Sequence, residues 1–266
     1  PEMMEMFQQQ AERFGTRTVG EDIVEVEFSD DPAEKPHLLR TSAGKEIRAR
    51  AVIVSTGATA NWLGLENELR LAQSGGGVSA CAVCDGALPL FRDQPLAVVG
   101  GGDTAMEEAT YLTKFASRVY VIHRRDRLRA SKVMQSRFLD RPNGEVLWNK
   151  VVEDVLSEPD ESGHDRVSGV LLKDTETGEE SSLAVKGLFI AIGHTPATGF
   201  LRETGLEFDD SGYILLRGRS SVTNLPGVFA AGDVADATYR QAVTAAGMGC
   251  QAAIDAEHWL AAEQLS

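Results

Sequence analysis

Hydrophobic residues along the chain follow two different periods. Nearly continuous apolar runs predict strands buried on both faces, and they lie at residues 51–55, 96–99, 118–122 and 228–231. Ala105, Ala109 and Leu112 are spaced by four and three positions, which predicts a helix over residues 103–116. Further helices are predicted over 2–14, 128–139 and 241–262, and a strand meander over 145–192. Because strand, glycine turn and helix alternate in the middle of the chain, we expect an α/β fold built around parallel sheet.

A glycine-rich turn joins the predicted strand at 96–99 to the helix that follows it. The turn reads Gly100-x-Gly102-x-x-Ala105, which is the spacing of a dinucleotide-binding fingerprint. The first glycine permits the tight turn, the second lets the main chain approach a pyrophosphate, and the small third residue lets the helix pack on the strand. The same spacing recurs at Gly75 and Gly247, but neither follows a buried strand, so we expect neither to bind a nucleotide.

The end of the next strand carries cations where an NAD site would carry an acid. NAD sites place Asp or Glu there to bind the ribose 2′-hydroxyl, whereas this chain has His123, Arg124 and Arg125, with Arg127 and Arg129 just beyond. Guanidinium groups match a 2′-phosphate in both charge and geometry. We therefore expect the cofactor to be NADPH and not NADH. The alternative interpretation is a solvated basic start of the following helix.

Two cysteines form a C-x-x-C motif, Cys81-Ala82-Val83-Cys84. A zinc site built from thiolates needs a second pair, and Cys250 stands alone in a predicted helix, so we expect no metal. The favoured interpretation is a redox dithiol, in which neighbouring sulfurs close a small disulfide and a thiolate attacks a partner's disulfide. Asp85 follows directly, and it is either a general acid or base for the thiolate or a helix-capping residue.

Composition excludes several other classes of protein. Lys and Arg number 26 against 40 Asp and Glu, which gives a net charge of −14 and argues against nucleic acid and anionic membrane surfaces as partners. No apolar run reaches the roughly 18 residues of a membrane helix, and the first residues lack a signal-peptide pattern. Three cysteines fit a reducing compartment. We therefore expect a cytoplasmic protein.

The motifs together resemble the low-molecular-weight thioredoxin reductases, with the closest likeness to the plant NADPH-dependent type. A hydride donor and a dithiol do not normally exchange electrons directly, and a flavin is the common intermediary. The resemblance supplies such a flavin. The matching stretches are residues 79–86, 100–109, 123–125, 129–132, 193–196, 227–234 and 240–242.

The resemblance implies a homodimeric flavoenzyme with two Rossmann-like, three-layer α/β domains that acts on thioredoxin. An FAD-binding domain would comprise residues 1–61 and 191–266, and an NADPH-binding domain, residues 62–190, would carry the cysteines. Family members rotate the second domain, so that dithiol and nicotinamide meet the flavin in turn. The implied catalytic residues are Cys81, Cys84 and Asp85. The implied FAD contacts are Thr56, Gly57, Gly232, Asp233, Arg240, Gln241 and Ala242, and the implied NADPH contacts are Gly100, Gly102, Asp103, Thr104, Ala105, His123, Arg124, Arg125 and Arg129.

The sequence departs from this family at its start. Members begin with a strand and a G-x-G-x-x-G that holds the FAD pyrophosphate, and nothing before Ile47 offers that fingerprint. We therefore expect the FAD domain to be N-terminally truncated by a βα unit on the order of 30 residues, either because the chain is a fragment or because FAD binding is impaired. The alternative functions are a flavin-free NADPH-binding module with a sensor dithiol, and a related flavin enzyme, either a peroxiredoxin-linked reductase or a dithiol oxidase.

Overall fold

The computed structural model describes residues 2–263, and the chain divides into two compact units. The split unit comprises residues 1–59 and 195–266, and the inserted unit comprises residues 60–194. None of the helices within the described residues is long and apolar enough to cross a bilayer. These units correspond to the two domains expected from the sequence, and the binding of FAD by the split unit and of NADPH by the inserted unit stays a prediction.

Helices and strands follow one another along the chain in three groups. The first group is α1 (Glu2–Arg13), β1 (Ile23–Glu27), β2 (His37–Thr41), β3 (Glu46–Ala49), β4 (Val52–Val54) and β5 (Ala58–Ala60). The second group is α2 (Glu66–Gln73), β6 (Val78–Ser79), α3 (Ala82–Asp85), β7 (Pro95–Val99), α4 (Asp103–Leu112), β8 (Arg118–Ile122), α5 (Lys132–Leu139), β9 (Gly144–Leu147), β10 (Lys150–Pro159), β11 (Asp165–Asp174), β12 (Glu180–Leu183) and β13 (Gly187–Ile190). The third group is β14 (His194–Pro196), β15 (Val228–Ala230) and α6 (Ala242–Glu263).

The inserted unit is built on a five-stranded parallel sheet with the order β6-β13-β7-β8-β9. Alternate residues of β7 enter different cores. Leu96 and Val98 pack in the core that contains residues of α4 and α5, while Ala97 and Val99 pack in the core that contains residues of α2, β10 and β11. Because both faces of the sheet are covered, the strand can be apolar at successive positions.

Two details of the inserted unit differ from the sequence-based expectation. Only β10, β11 and β12 form an antiparallel meander, while β9 and β13 at its two ends join the parallel sheet. The helix expected from residue 128 begins instead at Lys132, because Ser131 is its N-cap and accepts a hydrogen bond from the Met134 amide at 3.4 Å. The preceding segment is thereby left as a loop, and it carries the arginines.

The split unit combines an antiparallel sheet, β1-β2-β3, with a parallel pair, β4 and β15. Alternate residues near β15 again enter two cores. Val228 and Ala230 belong to one hydrophobic core of the split unit. Phe229 and Ala231 belong to another, in which they pack against Ala252 and other residues of α6. Burial on both faces explains the apolar run at the end of this strand.

His37 is a fully buried titratable residue of the split unit. Its Nδ1 accepts a hydrogen bond from the Ser29 amide at 3.0 Å, which places the proton of the neutral ring on Nε2. Its ring also meets Phe28 edge-on at 5.4 Å. Burial lowers the pKa of His37 below its usual 6.5, and the Pro226 carbonyl offsets this only in part.

We expect this histidine to make the protein less stable in mild acid. Because the pKa of His37 is lower in the folded than in the unfolded protein, the ring is neutral in both states above about pH 6.5 and does not affect stability there. As the pH falls from about 6.5 through the folded-state pKa, the unfolded protein binds a proton more readily, and the folded protein loses stability. Urea midpoints measured between pH 7.5 and 5 for the wild type and for His37→Gln isolate this contribution. The variant should lose less stability over that interval, although it starts lower. Parallel losses in both proteins would contradict the assignment.

Candidate functional site

The glycine-rich turn after β7 packs tightly on one side and is open on the other. A Cβ atom at Gly100 would lie 2.5 Å from the Ala191 carbonyl oxygen and 2.6 Å from the Cβ of Ala105, so glycine is required for the turn to fit against α4 and the end of β13. A Cβ atom at Gly102 would meet no atom within 4 Å. Gly102 is the N-cap of α4, so its open side exposes helix amide groups that suit a phosphate.

Gly101, between the two fingerprint glycines, also has no room for a side chain. A Cβ atom there would lie 2.2 Å from Cε1 of His123. The His123 ring is buried at the end of β8, with Nδ1 2.9 Å from the Gly100 carbonyl and Nε2 2.8 Å from the Arg127 carbonyl. Both ring nitrogens therefore contact the main chain, and the imidazole joins the glycine turn to the arginine loop, residues 124–130.

Further hydrogen bonds fix the arginine loop to the glycine turn. The amides of Arg129 and Ala130 donate to the Gly101 carbonyl at 2.8 and 3.0 Å. The Ser131 amide donates to Oδ1 of Asp103 at 2.6 Å. Asp103, which the sequence placed among the cofactor contacts, thus holds this loop through one carboxylate oxygen. The phosphate-binding turn and the arginine loop consequently form one preorganised surface.

This surface lines a cavity of about 510 Å³ at the carboxyl ends of β7, β8 and β13. Gly100, Gly101, Gly102 and Thr104 lie along it, together with Arg124, Arg125, Arg129 and the buried His123. The arginines are exposed, and within residues 2–263 none of them forms a salt bridge with a carboxylate. Arg127 belongs to the same loop but does not line the cavity.

Lys150 also lines the cavity, but its charge is balanced within the protein. Its Nζ lies 2.8 Å from Oδ2 of Asp174. This hydrogen bond, with two backbone amides, holds the pKa of Asp174 well below its usual range. The uncompensated positive charge of the cavity therefore comes from the arginines. Three unpaired guanidinium groups in a strongly acidic chain fit a dianionic 2′-phosphate, and the open Gly102 fits a pyrophosphate.

Cys81 and Cys84 form a disulfide at the start of α3, next to the end of β6. Cys81 is partly buried and Cys84 is exposed. The Cys84 amide donates to Sγ of Cys81 at 3.2 Å, so Cys81, and not an aspartate, is the N-cap of this short helix. Asp85 is the last residue of α3, and its Oδ2 accepts a hydrogen bond from the Ser79 hydroxyl at 2.6 Å. The capping alternative for Asp85 is therefore wrong.

The split unit brings the other predicted residues to two loops. Gly232 follows β15 with φ of +78°, a conformation that favours glycine, and Oδ1 of the neighbouring Asp233 is buried without a hydrogen-bond partner within residues 2–263. The hydroxyl of Thr56 donates to the Ala197 carbonyl at 2.9 Å, and the Gly57 carbonyl accepts from the Ala197 amide at 2.9 Å. A buried carboxylate oxygen lacking a donor fits a ligand hydroxyl such as those of a ribityl chain.

Asp236 organises the loop that carries Arg240, Gln241 and Ala242. Its carboxylate accepts from the amides of Thr238, Tyr239 and Arg240 at 2.9, 2.9 and 3.1 Å. Burial alone would raise the pKa of Asp236, but these backbone donors together lower it. Arg240 has a positive φ of +49°, which is uncommon in a residue with a side chain, and the bond from its amide to Asp236 helps to hold it there. Gln241 and Ala242 follow at the start of α6.

Sequence patterns did not identify three residues of these sites. Gly101 was read as a free position of the fingerprint, and only its contact with His123 explains it. Ser79 begins the matching stretch 79–86 but was given no role in it. Asp236 lies outside every matching stretch, although an aspartate before a short polar loop is a common signal of side-chain-to-backbone bonding. The other two glycine matches do not follow strands, as expected, since Gly247 lies inside α6 and Gly75 follows α2.

Comparison with known proteins identifies the class to which this fold belongs. The family described as pyridine nucleotide-disulphide oxidoreductase matches residues 8–249. Thioredoxin reductase 1, mitochondrial, of Arabidopsis thaliana is 51% identical over 97% of this chain and 67% of its own length. The solved thioredoxin reductase of Giardia duodenalis has a TM-score of 0.88 at 40% identity, covering 98% of this chain and 81% of that one.

A third relative is named as a bifunctional protein. The bifunctional thioredoxin reductase/thioredoxin of Mycobacterium leprae is 45% identical over 98% of this chain and 54% of its own length. The fold class expected from the sequence is confirmed. The chain belongs to the pyridine nucleotide-disulphide oxidoreductases and, within them, to the thioredoxin reductases, an FAD- and NADPH-dependent family of oxidoreductases. The resemblance seen in the motifs is therefore confirmed.

Proposed function

We propose that the protein carrying this chain reduces the disulfide of thioredoxin with electrons from NADPH, through FAD and the Cys81–Cys84 pair. The observation that supports this most directly is the composition of the inserted unit. The same unit holds a cavity lined by unpaired arginines and a redox-capable disulfide. The chain spans 67% of the length of the Arabidopsis relative.

The arginine loop would select the phosphorylated nicotinamide carrier. Arg124, Arg125 and Arg129 would bind the 2′-phosphate, while Gly100 and Gly102 would seat the pyrophosphate at the start of α4. Thr104 and Ala105 complete the turn, and Asp103 and His123 hold the two loops together. Hydrogen bonds hold the main chain of the turn and of the arginine loop before the cofactor arrives, so little main-chain ordering opposes binding.

The split unit would hold FAD. Gly232 and Asp233 would lie at the ribityl and phosphate region, where Asp233 would accept a hydrogen bond from a ribityl hydroxyl. Arg240, Gln241 and Ala242 would lie near the ring, with Thr56 and Gly57 in the same unit. Bound FAD supplies a carrier that accepts two electrons as hydride and passes them to sulfur. Within the chain, the loop held by Asp236 orients the groups proposed to contact that carrier.

The dithiol would carry the electrons to the partner by disulfide exchange. A thiolate of the reduced pair attacks the partner's disulfide, which forms a mixed disulfide and releases one partner sulfur as a thiolate. That thiolate takes a proton, and we propose Asp85 as its source. The second cysteine then loses its proton and attacks the mixed disulfide, so the Cys81–Cys84 bond forms and the partner's second sulfur leaves as a thiolate. That thiolate takes up the proton lost by the second cysteine, and the partner leaves with two thiols.

Thioredoxin is the proposed partner because the relatives carry that activity in their names and one is a fusion with thioredoxin. A homodimer in a reducing compartment is proposed on the family resemblance and on the scarcity of cysteines. Light scattering on the purified FAD-loaded protein tests the dimer, and a mass of one protomer would contradict it.

One assay separates the proposed function from its alternatives. The purified protein is examined for flavin absorbance and then supplied with NADPH, with and without oxidised thioredoxin. Thioredoxin-dependent oxidation of NADPH supports the proposal. Oxidation that requires only oxygen would indicate a dithiol oxidase, oxidation that requires peroxiredoxin would indicate another partner, and a colourless protein that binds NADPH would indicate a sensor module.

A further inference from the structure

Ser79 is a buried polar residue beside the disulfide, and it begins the matching stretch 79–86 without an assigned role. It is the last residue of the edge strand β6, pairs with Phe189 of β13, and is only 7% exposed. Its hydroxyl donates to Oδ2 of Asp85 at 2.6 Å and accepts from the Cys81 amide at 3.0 Å. One buried oxygen therefore contacts both the first residue of the C-x-x-C and the proposed acid.

The surroundings of this hydroxyl suit both protonation states of Asp85. A serine hydroxyl has one donor and two acceptor positions. When the carboxylate is ionised, Ser79 donates to it and accepts from the Cys81 amide. When the carboxyl is protonated, it can donate to Ser79, and the serine proton can turn to the Cys81 carbonyl, which lies 3.4 Å away. Asp85 thus keeps a hydrogen-bond partner before and after it transfers a proton.

We propose that Ser79 is a positioning residue for Asp85, holding the carboxyl group in place through each cycle of proton transfer during disulfide exchange. The inference rests on the proposed function of the dithiol. Asp85 lies on the short helix α3 together with Cys84, but its carboxyl group is also held by a hydrogen bond from β6, the edge strand of the parallel sheet. The acid can therefore stay in place while the bond between the two sulfurs opens and closes.

A purely structural role for Ser79 makes a different prediction. Because Ser79 also accepts from the Cys81 amide, its removal could simply distort the C-x-x-C turn. Distortion would slow attack on every disulfide. Loss of a positioned acid would slow only those exchanges in which the leaving thiolate needs a proton, since thiols of low pKa leave readily without one.

The experiment uses the FAD-loaded protein with its dithiol reduced, in single turnovers without NADPH. The probes are oxidised thioredoxin, hydroxyethyl disulfide, whose aliphatic thiolate needs a proton, and dithiobis(nitrobenzoate), whose thiolate does not. General acids typically contribute about 10²–10⁴-fold, so Ser79→Ala should slow transfer to the first two probes by about tenfold or more. Transfer to dithiobis(nitrobenzoate) should stay within about twofold of the wild type. Ser79→Thr, which keeps the hydroxyl, should restore most of the rate.

A double-mutant cycle and a matched control complete the test. In an Asp85→Asn background, Ser79→Ala should have little further effect, because there is no acid left to position. Ser74→Ala, which removes an exposed hydroxyl of the same unit that bonds the Leu71 carbonyl, should transfer at the wild-type rate. Equal slowing with all three probes, or a full further loss in the Asp85→Asn background, would overturn the proposal. A wild-type protein that reduces hydroxyethyl disulfide but not thioredoxin would refute the proposed partner and leave the Ser79 comparison decisive.

Discussion

Replacing Cys84 with serine is expected to abolish thioredoxin reduction while leaving the flow of hydride from NADPH to the flavin intact. Without its second sulfur the pair cannot form the Cys81–Cys84 disulfide, so the mixed disulfide with a partner has no intramolecular route to resolution. We expect a loss of at least about 10³-fold in turnover, as for other residues that act as an obligatory chemical unit. The measurement is NADPH oxidation with thioredoxin as acceptor.

A second acceptor shows which step is lost. Ferricyanide takes electrons from a reduced flavin without involving cysteines, so its NADPH-dependent reduction should persist in Cys84→Ser. The matched control is Cys250→Ser, because Cys250 is a free, exposed cysteine of α6 that the proposal gives no role. It should turn over thioredoxin normally. Substantial thioredoxin reduction by Cys84→Ser would remove the pair from the mechanism.

The sequence predicted those parts of the molecule in which the local residue pattern and the tertiary packing require the same type of residue. A strand buried on both faces must be apolar throughout, so the run at 96–99 predicted a central parallel strand, and β7 is the middle strand of the sheet. Gly100 was predicted to permit the tight turn and Ala105 to let the helix pack on the strand, and a Cβ atom at Gly100 would lie only 2.6 Å from that of Ala105. The disulfide between Cys81 and Cys84 likewise follows from their spacing.

The parts that were not predicted depend on contacts between residues far apart in sequence. Gly101 must be glycine because His123, directly after the next strand, occupies the space of its side chain. Helix α5 begins at Lys132 and not at the expected residue 128, because Ser131 is its N-cap. The Ser131 amide in turn donates a hydrogen bond to Asp103 of α4. Helical periodicity could not reveal this, since the residues that became loop are bound to the glycine turn and not to their own helix.

The position of His123 at the site was predicted from the sequence, but its contacts were not. The sequence grouped this histidine with the arginines as a phosphate ligand. In the structure it lies at the cavity, but its ring nitrogens face the carbonyls of Gly100 and Arg127. Its proposed contribution to cofactor binding is therefore to fix the arginine loop against the glycine turn, and phosphate recognition falls to the guanidinium groups.

Replacing Arg124 and Arg125 together with alanine should weaken NADPH binding strongly and NADH binding little. Hydrogen bonds to charged groups contribute about 1.5–3 kcal/mol each, so loss of both guanidinium groups should raise the Kd for NADPH by roughly 10²–10⁴-fold. NADH has no 2′-phosphate, so its Kd should change by less than about threefold. Both side chains are exposed and form no salt bridge with the described carboxylates, so we expect the variant to fold normally.

Arg127 provides the matched control for this prediction. It lies in the same loop and has the same charge, but it does not line the cavity. If proximity to the phosphate decides the effect, Arg127→Ala should change the Kd for NADPH only slightly. If the general positive potential of the loop decides it, Arg127→Ala should weaken NADPH as much as either neighbour does, and the loss should vanish at high salt. Titration calorimetry with NADPH and NADH distinguishes the two, and equal losses of both nucleotides in the double variant would refute 2′-phosphate recognition by these arginines.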